Sequence, residues 1–204
     1  MATDDPTSAD SLAPGIDYVP RLMTAADLAE MPSDLPTGPV RYELDNGVLI
    51  TMSPPGFEHC YSESEIAAEL KSQGQAKGFG LACSGDVAII LHRNPDAVVG
   101  ADAAFICSAQ LPLKLSREGY LETIPDLVVE VLSKNDRRSY VTRKVTNYLK
   151  AGVKVVWTID PAKRSVNEFR TNSETKTYEE SATLELQDLI PGFQYRVADL
   201  FRNE

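Results

Sequence analysis

Asp126-Leu-Val-Val-Glu-Val-Leu132 decides how the rest of the chain is read. Apart from its two acids the segment is entirely aliphatic. A short run rich in β-branched residues favours a strand, and one that is apolar on both faces belongs in the middle of a sheet covered on both sides. Glu130 sits at its centre and shares a strand face with Val128 and Leu132. An ionised carboxylate buried without a partner costs on the order of several kcal/mol, so Glu130 has to be neutralised, paired or bound to a cation. A structural ion pair to Arg138 or Lys144 is one solution, and a metal ion is another.

Downstream of this strand, Val141, Val145, Tyr148 and Leu149 form one apolar stripe on a helix expected from about Arg137 to Ala151, closed by Gly152. Val153–Ile159 reads as a further strand stopped by Asp160-Pro161, and the remainder as outer strands with a turn at Ile190-Pro-Gly-Phe193. Upstream, Val87–Leu91 and Ala97–Ile106 read as strands joined by the turn-rich Arg93-Asn-Pro-Asp96. A helix is expected from about Ser62, where Ser62 and Glu65 have capping-box spacing, to Gly78. Arg41–Met52 reads as a hairpin turning at Asn46-Gly47, and Thr24 caps a short helix ended by Pro32. The order α-β-β-β-α-β describes an α/β domain, a mixed sheet flanked by helices, with an extra N-terminal hairpin. Residues 1–20 lack apolar periodicity and are expected to be a disordered leader to a single domain over 21–204.

A chain of 204 residues with 43% hydrophobic content can bury the core of one such domain. It offers no apolar run of membrane-spanning length and an acidic N-terminus without a signal-like core, so a cytoplasmic protein is expected. Three scattered cysteines without a C-x-x-C pair, and only two histidines, exclude a disulfide framework and a histidine-rich zinc centre. The net charge of −10 repels nucleic acid on average. Its distribution is uneven, because Lys134 to Lys154 holds seven basic residues against the single acid Asp136. That stretch is either a solvated helix face or a surface for a polyanion.

Asp102 poses the same problem as Glu130, since it lies within the apolar run Val98-Val-Gly-Ala-Asp-Ala-Ala-Phe-Ile106. Two acids on neighbouring central strands repel unless a cation separates them, and a hard divalent ion with oxygen ligands fits that role. Lys144 borders the buried stripe of its helix, three residues after Val141 and four before Tyr148. Alone it reads as a snorkelling lysine; above two acids it becomes a candidate to orient water or stabilise phosphorane charge. Arg143 points away from the stripe. His92, Ser53 and Ser84 form no triad, so a serine hydrolase is not supported.

A longer pattern runs through the chain: Tyr42-Glu-Leu, Gly47, Met52-Ser-Pro-Pro, Glu58-His59, Asp102, Pro125-Asp-Leu-Val-Val-Glu-Val-Leu-Ser133, Lys144, Tyr148, Ala151-Gly-Val153, Trp157 and Asp160-Pro161. In order and spacing it resembles the bacterial Uma-two family of restriction-endonuclease-like proteins, within the PD-(D/E)XK nuclease superfamily, over about residues 22–202. The resemblance implies a Mg²⁺-dependent DNA endonuclease, with Mn²⁺ able to substitute, that works as a homodimer. It implies that Asp102, Glu130 and the backbone carbonyl of Val131 hold the ion, and that Lys144 stands in for a lysine usually found at the position of Leu132. It also points to Glu43 as an extra ligand or a support for the site. For His59, capping or packing is the expected role. Arg137, Arg138 and Arg143 are the expected DNA contacts. Three positions depart from the family pattern: Ala101 replaces a proline, Tyr140 an aspartate, and Val155-Val156 a Glu-Tyr pair. The competing expectation is a nuclease-derived nucleic-acid-binding or regulatory protein with little or no turnover.

Overall fold

The computed structural model describes residues 21–36, 38–111, 119–134 and 136–201; the leader expected over residues 1–20 lies outside them. The chain starts with α1 (Ala25–Ala29), which Thr24 caps through a reciprocal box with Asp27. A small pair, β1 (Asp34–Leu35) and β2 (Gly38–Pro39), follows. The expected hairpin is β3 (Arg41–Asp45) and β4 (Val48–Met52), turned by Asn46 and Gly47 at φ of 52° and 78°. Both angles lie in the left-handed region that a tight hairpin turn demands.

The core is α2 (Phe57–Glu69), β5 (Gly80–His92), β6 (Ala97–Cys107), β7 (Leu127–Val131), α3 (Arg138–Ala151) and β8 (Val155–Asp160). This is the α-β-β-β-α-β order, and Gly152 ends α3 at φ 109°. Strands β9 (Ser165–Phe169) and β10 (Lys176–Tyr178) extend the sheet, while β11 (Thr183–Glu185) and β12 (Gln194–Arg196) make a separate pair. The sheet runs β10-β9-β8-β7-β6-β3-β4, with β5 along the other edge of β6. Among the described strands β7 and β8, joined by α3, form the one parallel pair, so the sheet is mixed.

Two elements begin earlier than the sequence pattern suggests. Helix α2 starts at Phe57 rather than Ser62, behind Gly56, which offers no side-chain cap. The Ser62 hydroxyl donates to the Leu200 carbonyl instead of capping a helix. Strand β5 starts at Gly80 rather than Val87, because Gly85 and Asp86 bulge out of the ladder and interrupt the apolar alternation.

Two of the three buried clusters among the described residues lie on opposite faces of the sheet. Ile66 of α2 and Leu70, just beyond its end, pack with Val129, Trp157 and Ile159 on one side. Val145 and Tyr148 of α3 pack with Val128 and Val156 on the other. Ala101 belongs to the α3 core and Ala103 to the α2 core, although residues two apart on a strand normally share a face. Strand β6 therefore rolls at Asp102, opposite the β5 bulge, as the extra twist of a bulge predicts.

Candidate active site

One edge of β6 is paired with β5 along most of its length; the other is divided. There β3 pairs at Val98, and β7 pairs from Ala103 to Phe105. Between these contacts β3 and β7 diverge, and side chains take over from strand pairing. The Gly100 N–H donates to Glu43 Oε1 at 2.9 Å, and its carbonyl accepts from Lys144 Nζ at 2.8 Å. Asp102 Oδ2 accepts the Val131 N–H at 2.6 Å. The candidate site sits in this fork, at the bottom of a cavity of about 1020 Å³.

Lys144 rises from α3 into the fork and donates to Glu43 Oε1 and to Glu130 Oε2, each at 2.9 Å. With Gly100 this fills the three donors of an ammonium. Tyr148, one turn further along α3, donates to Glu130 Oε1 at 2.5 Å, and Tyr140, one turn back, donates to Glu43 Oε2. Asp102 is approached from the other layer: His59 Nε2 on α2 lies 3.1 Å from its Oδ1, and Glu63 is 3.9 Å from the same imidazole. His59, Glu63 and Asp102 each present one atom within 4.8 Å of the others.

The electrostatics follow from crowding. Burial, helped by repulsion from Asp102 and Glu43, outweighs the pull of Lys144 and pushes the Glu130 carboxyl up to about 8. Burial also works against the charge on Lys144, but Glu130, Tyr148 and Glu43 hold its pKa well above the usual lysine value, so it stays an ammonium. For His59, burial is outweighed by the hydrogen bond and charge of Asp102 together with Glu63, and its pKa rises. Burial and the nearby Asp102 raise Glu63. The fork thus crowds Glu43, Asp102 and Glu130 into one buried space, with Lys144 and His59 as their basic partners.

The chain's sequence matches the Uma2 family model, described as "Putative restriction endonuclease", over residues 26–198. This chain belongs to the Uma2 family. A solved protein from Anabaena variabilis ATCC 29413, described as "a putative nuclease belonging to DUF820", superposes with a TM-score of 0.72 at 21% identity, covering 88% of this chain and 97% of that one. That likeness is one of fold. No curated protein matches.

In this Uma2 protein the residues singled out from sequence fall into two groups. Glu43, Glu130 and Lys144 are in direct contact. Asp102 shares the cavity with them but bonds to His59 and to the Val131 backbone. Among the arginines, Arg137 and Arg143 line the cavity, whereas Arg138 does not. Arg143 is tied to Asp45 at 2.8 Å. His59, expected to cap or pack, sits inside α2 against Asp102. Glu63 and Tyr140 were not singled out for roles here. The i, i+4 spacing of His59 and Glu63 on a helix was the available signal; for Tyr140 there was none.

Proposed function

We propose that this Uma2 protein is a divalent-metal-dependent endonuclease that hydrolyses phosphodiester bonds in DNA. One juxtaposition carries the reading: Glu43 and Glu130 on a single buried ammonium, with Asp102 in the same cavity and basic groups on its rim.

The donor set suits a divalent ion. A cation among these acids would relieve the burial and mutual repulsion that raise the Glu130 carboxyl. Asp102 and Glu130, with the Val131 carbonyl, are oxygen donors of the kind Mg²⁺ takes. His59 and Glu63 beside Asp102 add an imidazole and a third carboxylate, a mixture that accommodates Mn²⁺ well. Held there, the ion would supply polarisation of a phosphate oxygen and a lower pKa for the attacking water.

The chain's own residues do the rest. Lys144 places a fixed positive charge beside the position where phosphorane charge develops. Glu43 and the Gly100 carbonyl keep that ammonium anchored if Glu130 turns toward the ion. Tyr140 holds Glu43 in place. His59 meets Asp102 at 3.1 Å and braces that carboxylate from α2. Lys134 and Arg137, exposed on the rim and in no ion pair among the described residues, contact backbone phosphates. A single fork cuts one strand, so a two-fold homodimer belongs to the same proposal for double-strand scission.

A second reading has a specific observation in its favour. All three Lys144 donors are taken within the protein, leaving none for water or phosphate. A nuclease-derived nucleic-acid-binding protein would look like this. Incubation with supercoiled plasmid plus Mg²⁺ or Mn²⁺, beside Asp102→Ala and Lys144→Ala, separates the two. Nicking lost in both variants supports the endonuclease, and DNA binding without any nicking supports the second reading.

A further inference from the structure

His59, Glu63 and Asp102 each carry two polar side-chain atoms, and in each the structure ties one of them down. Glu63 Oε1 accepts the Gly85 N–H at 2.8 Å, a donor set free where the β5 bulge skips from Ser84 to Val87 in its register with β6. Asp102 Oδ2 accepts the Val131 N–H at 2.6 Å, just past the point where β7 stops pairing with β6. His59 Nδ1 faces the Ser133 hydroxyl at 3.4 Å. The remaining atoms turn toward one another: His59 Nε2 lies 3.1 Å from Asp102 Oδ1 and 3.9 Å from Glu63 Oε2. Ser133 lines the same cavity two positions after β7, and its backbone is fixed by a turn. Its N–H donates to Asp136 Oδ2 at 2.8 Å and its carbonyl accepts the Asp136 N–H at 2.9 Å. That turn makes no use of the hydroxyl, whose partner among the described residues is His59.

We infer that Ser133 is a positioning residue for a divalent cation on His59, Glu63 and Asp102, its hydroxyl setting which ring nitrogen of His59 carries the proton. The inference rests on the metal-dependent reading of the fork and adds a residue to it. An imidazole that gives Nε2 to a cation carries its proton on Nδ1. The His59 ring is buried, so that N–H needs an acceptor inside the protein, and the Ser133 oxygen is placed to be it.

A hydroxyl suits this place because it both donates and accepts. While Nε2–H is directed at Asp102, the hydroxyl can donate to Nδ1; when Nε2 serves a cation, the same oxygen accepts from Nδ1–H. An ionised carboxylate could only accept, and an alkyl side chain could do neither. Ser133 can therefore keep the ring in one orientation through either arrangement. With Gly85 on Glu63 and Val131 on Asp102, it completes a set of three supports drawn from β5, β7 and the turn that follows β7.

The test uses the full chain with MnCl₂ alone, and reads Mn²⁺ affinity from the rise in melting temperature across a titration. Ser133→Ala is expected to weaken Mn²⁺ by about 10- to 100-fold, with the melting temperature before metal addition close to that of wild type. Ser133→Thr keeps the hydroxyl and is expected to keep the affinity. In a His59→Ala background, Ser133→Ala is expected to add no further loss, because it acts through that ring. A purely structural role after β7 would add the same loss in both backgrounds. That equal loss, unchanged affinity in Ser133→Ala, or a loss in Ser133→Thr as large as in Ser133→Ala overturns the inference. If Asp102→Ala still abolishes the Mn²⁺ shift in that case, the metal-dependent reading stands without it. No Mn²⁺ shift in wild type overturns both. Affinity that depends on Ser133 through His59 in a protein that cuts no plasmid keeps this inference and rejects the endonuclease.

Discussion

Lys144 Nζ and Glu130 Oε2 lie 2.9 Å apart, with both side chains almost wholly enclosed at 9% and 12% exposure. The contact joins the middle of α3 to the C-terminal part of β7. It is also the contact that catalysis would have to loosen, because Glu130 spends its other oxygen on Tyr148. The same bond therefore stabilises the fold and restrains the site.

Removing one partner exposes what the pair is worth. Lys144→Ala leaves Glu43 and Glu130 buried without their counter-charge, and urea unfolding should show a loss of about 3–5 kcal/mol. Lys144→Met combined with Glu130→Gln should cost clearly less than the two single changes together, since neither charge is then stranded. Strict additivity would mean that the two groups do not form a coupled buried pair.

Gly100 is the point where the backbone of the fork cannot carry a side chain. A Cβ there would stand 2.0 Å from Asp86 Oδ1, so Gly100→Ala must displace that carboxylate from Arg41, its partner at 3.1 Å. The expected cost is about 1–3 kcal/mol by thermal or urea unfolding. Adding Asp86→Ala should recover most of it. Without such recovery, the strain lies in the backbone bonds of Gly100 to Glu43 and Lys144.

Asp126 shows how a motif acid can be structural. Its side chain is fully enclosed, accepts the Cys107 N–H at 2.7 Å and meets Lys154 at 2.7 Å, tying the end of β6 to the starts of β7 and β8. Burial opposes its charge, but Lys154 and the Cys107 N–H hold its carboxyl below the usual aspartate value. The unfolded chain binds a proton there more readily, so this stability is present above about pH 3.9 and is lost as pH falls through the lower folded pKa. Asp126→Asn should cost about 1–3 kcal/mol at neutral pH and flatten the acid limb of a stability–pH curve. A parallel, undiminished acid limb would remove Asp126 from that role.

How far the sequence reveals this arrangement depends on which signal each element carries. The aliphatic run around Glu130, the Asn46-Gly47 turn and the stripe closed by Gly152 are local patterns, and β7, the hairpin and α3 follow from them. Helix α2 hides its start because Gly56 caps it through backbone conformation alone, while Ser62 and Glu65 imitate a cap well inside it. The cluster of Glu43 with Glu130 and Lys144 is long-range, set by where β3 and β7 part from β6, and no spacing along the chain encodes that fork. Asp102 and Glu130 were expected to share partners; the roll of β6 turns one toward α2 and leaves the other under α3. Tyr140 reaches Glu43 across 97 positions, a contact visible only once the sheet is assembled.

That division between the two acids makes the metal question one of ligands. If the ion is held by Asp102 together with His59 and Glu63, all three variants, Asp102→Ala, His59→Ala and Glu63→Gln, weaken Mn²⁺ binding. If it is held by Asp102 and Glu130, His59→Ala leaves the affinity close to that of wild type while Glu130→Gln lowers it. A rise in melting temperature with Mn²⁺ reads the affinity directly, since a ligand at a hundred times its Kd stabilises by about 2.7 kcal/mol. The geometry favours the first outcome, because Glu130 must give up Lys144 and Tyr148 to reach an ion, whereas His59 and Glu63 already face Asp102 with their ligand atoms within 4.8 Å. Loss of a direct ligand is expected to weaken Mn²⁺ by at least the roughly 10- to 100-fold typical of an outer-shell partner. An undiminished melting shift in Asp102→Ala would place the cation outside the fork and remove the basis for both arrangements.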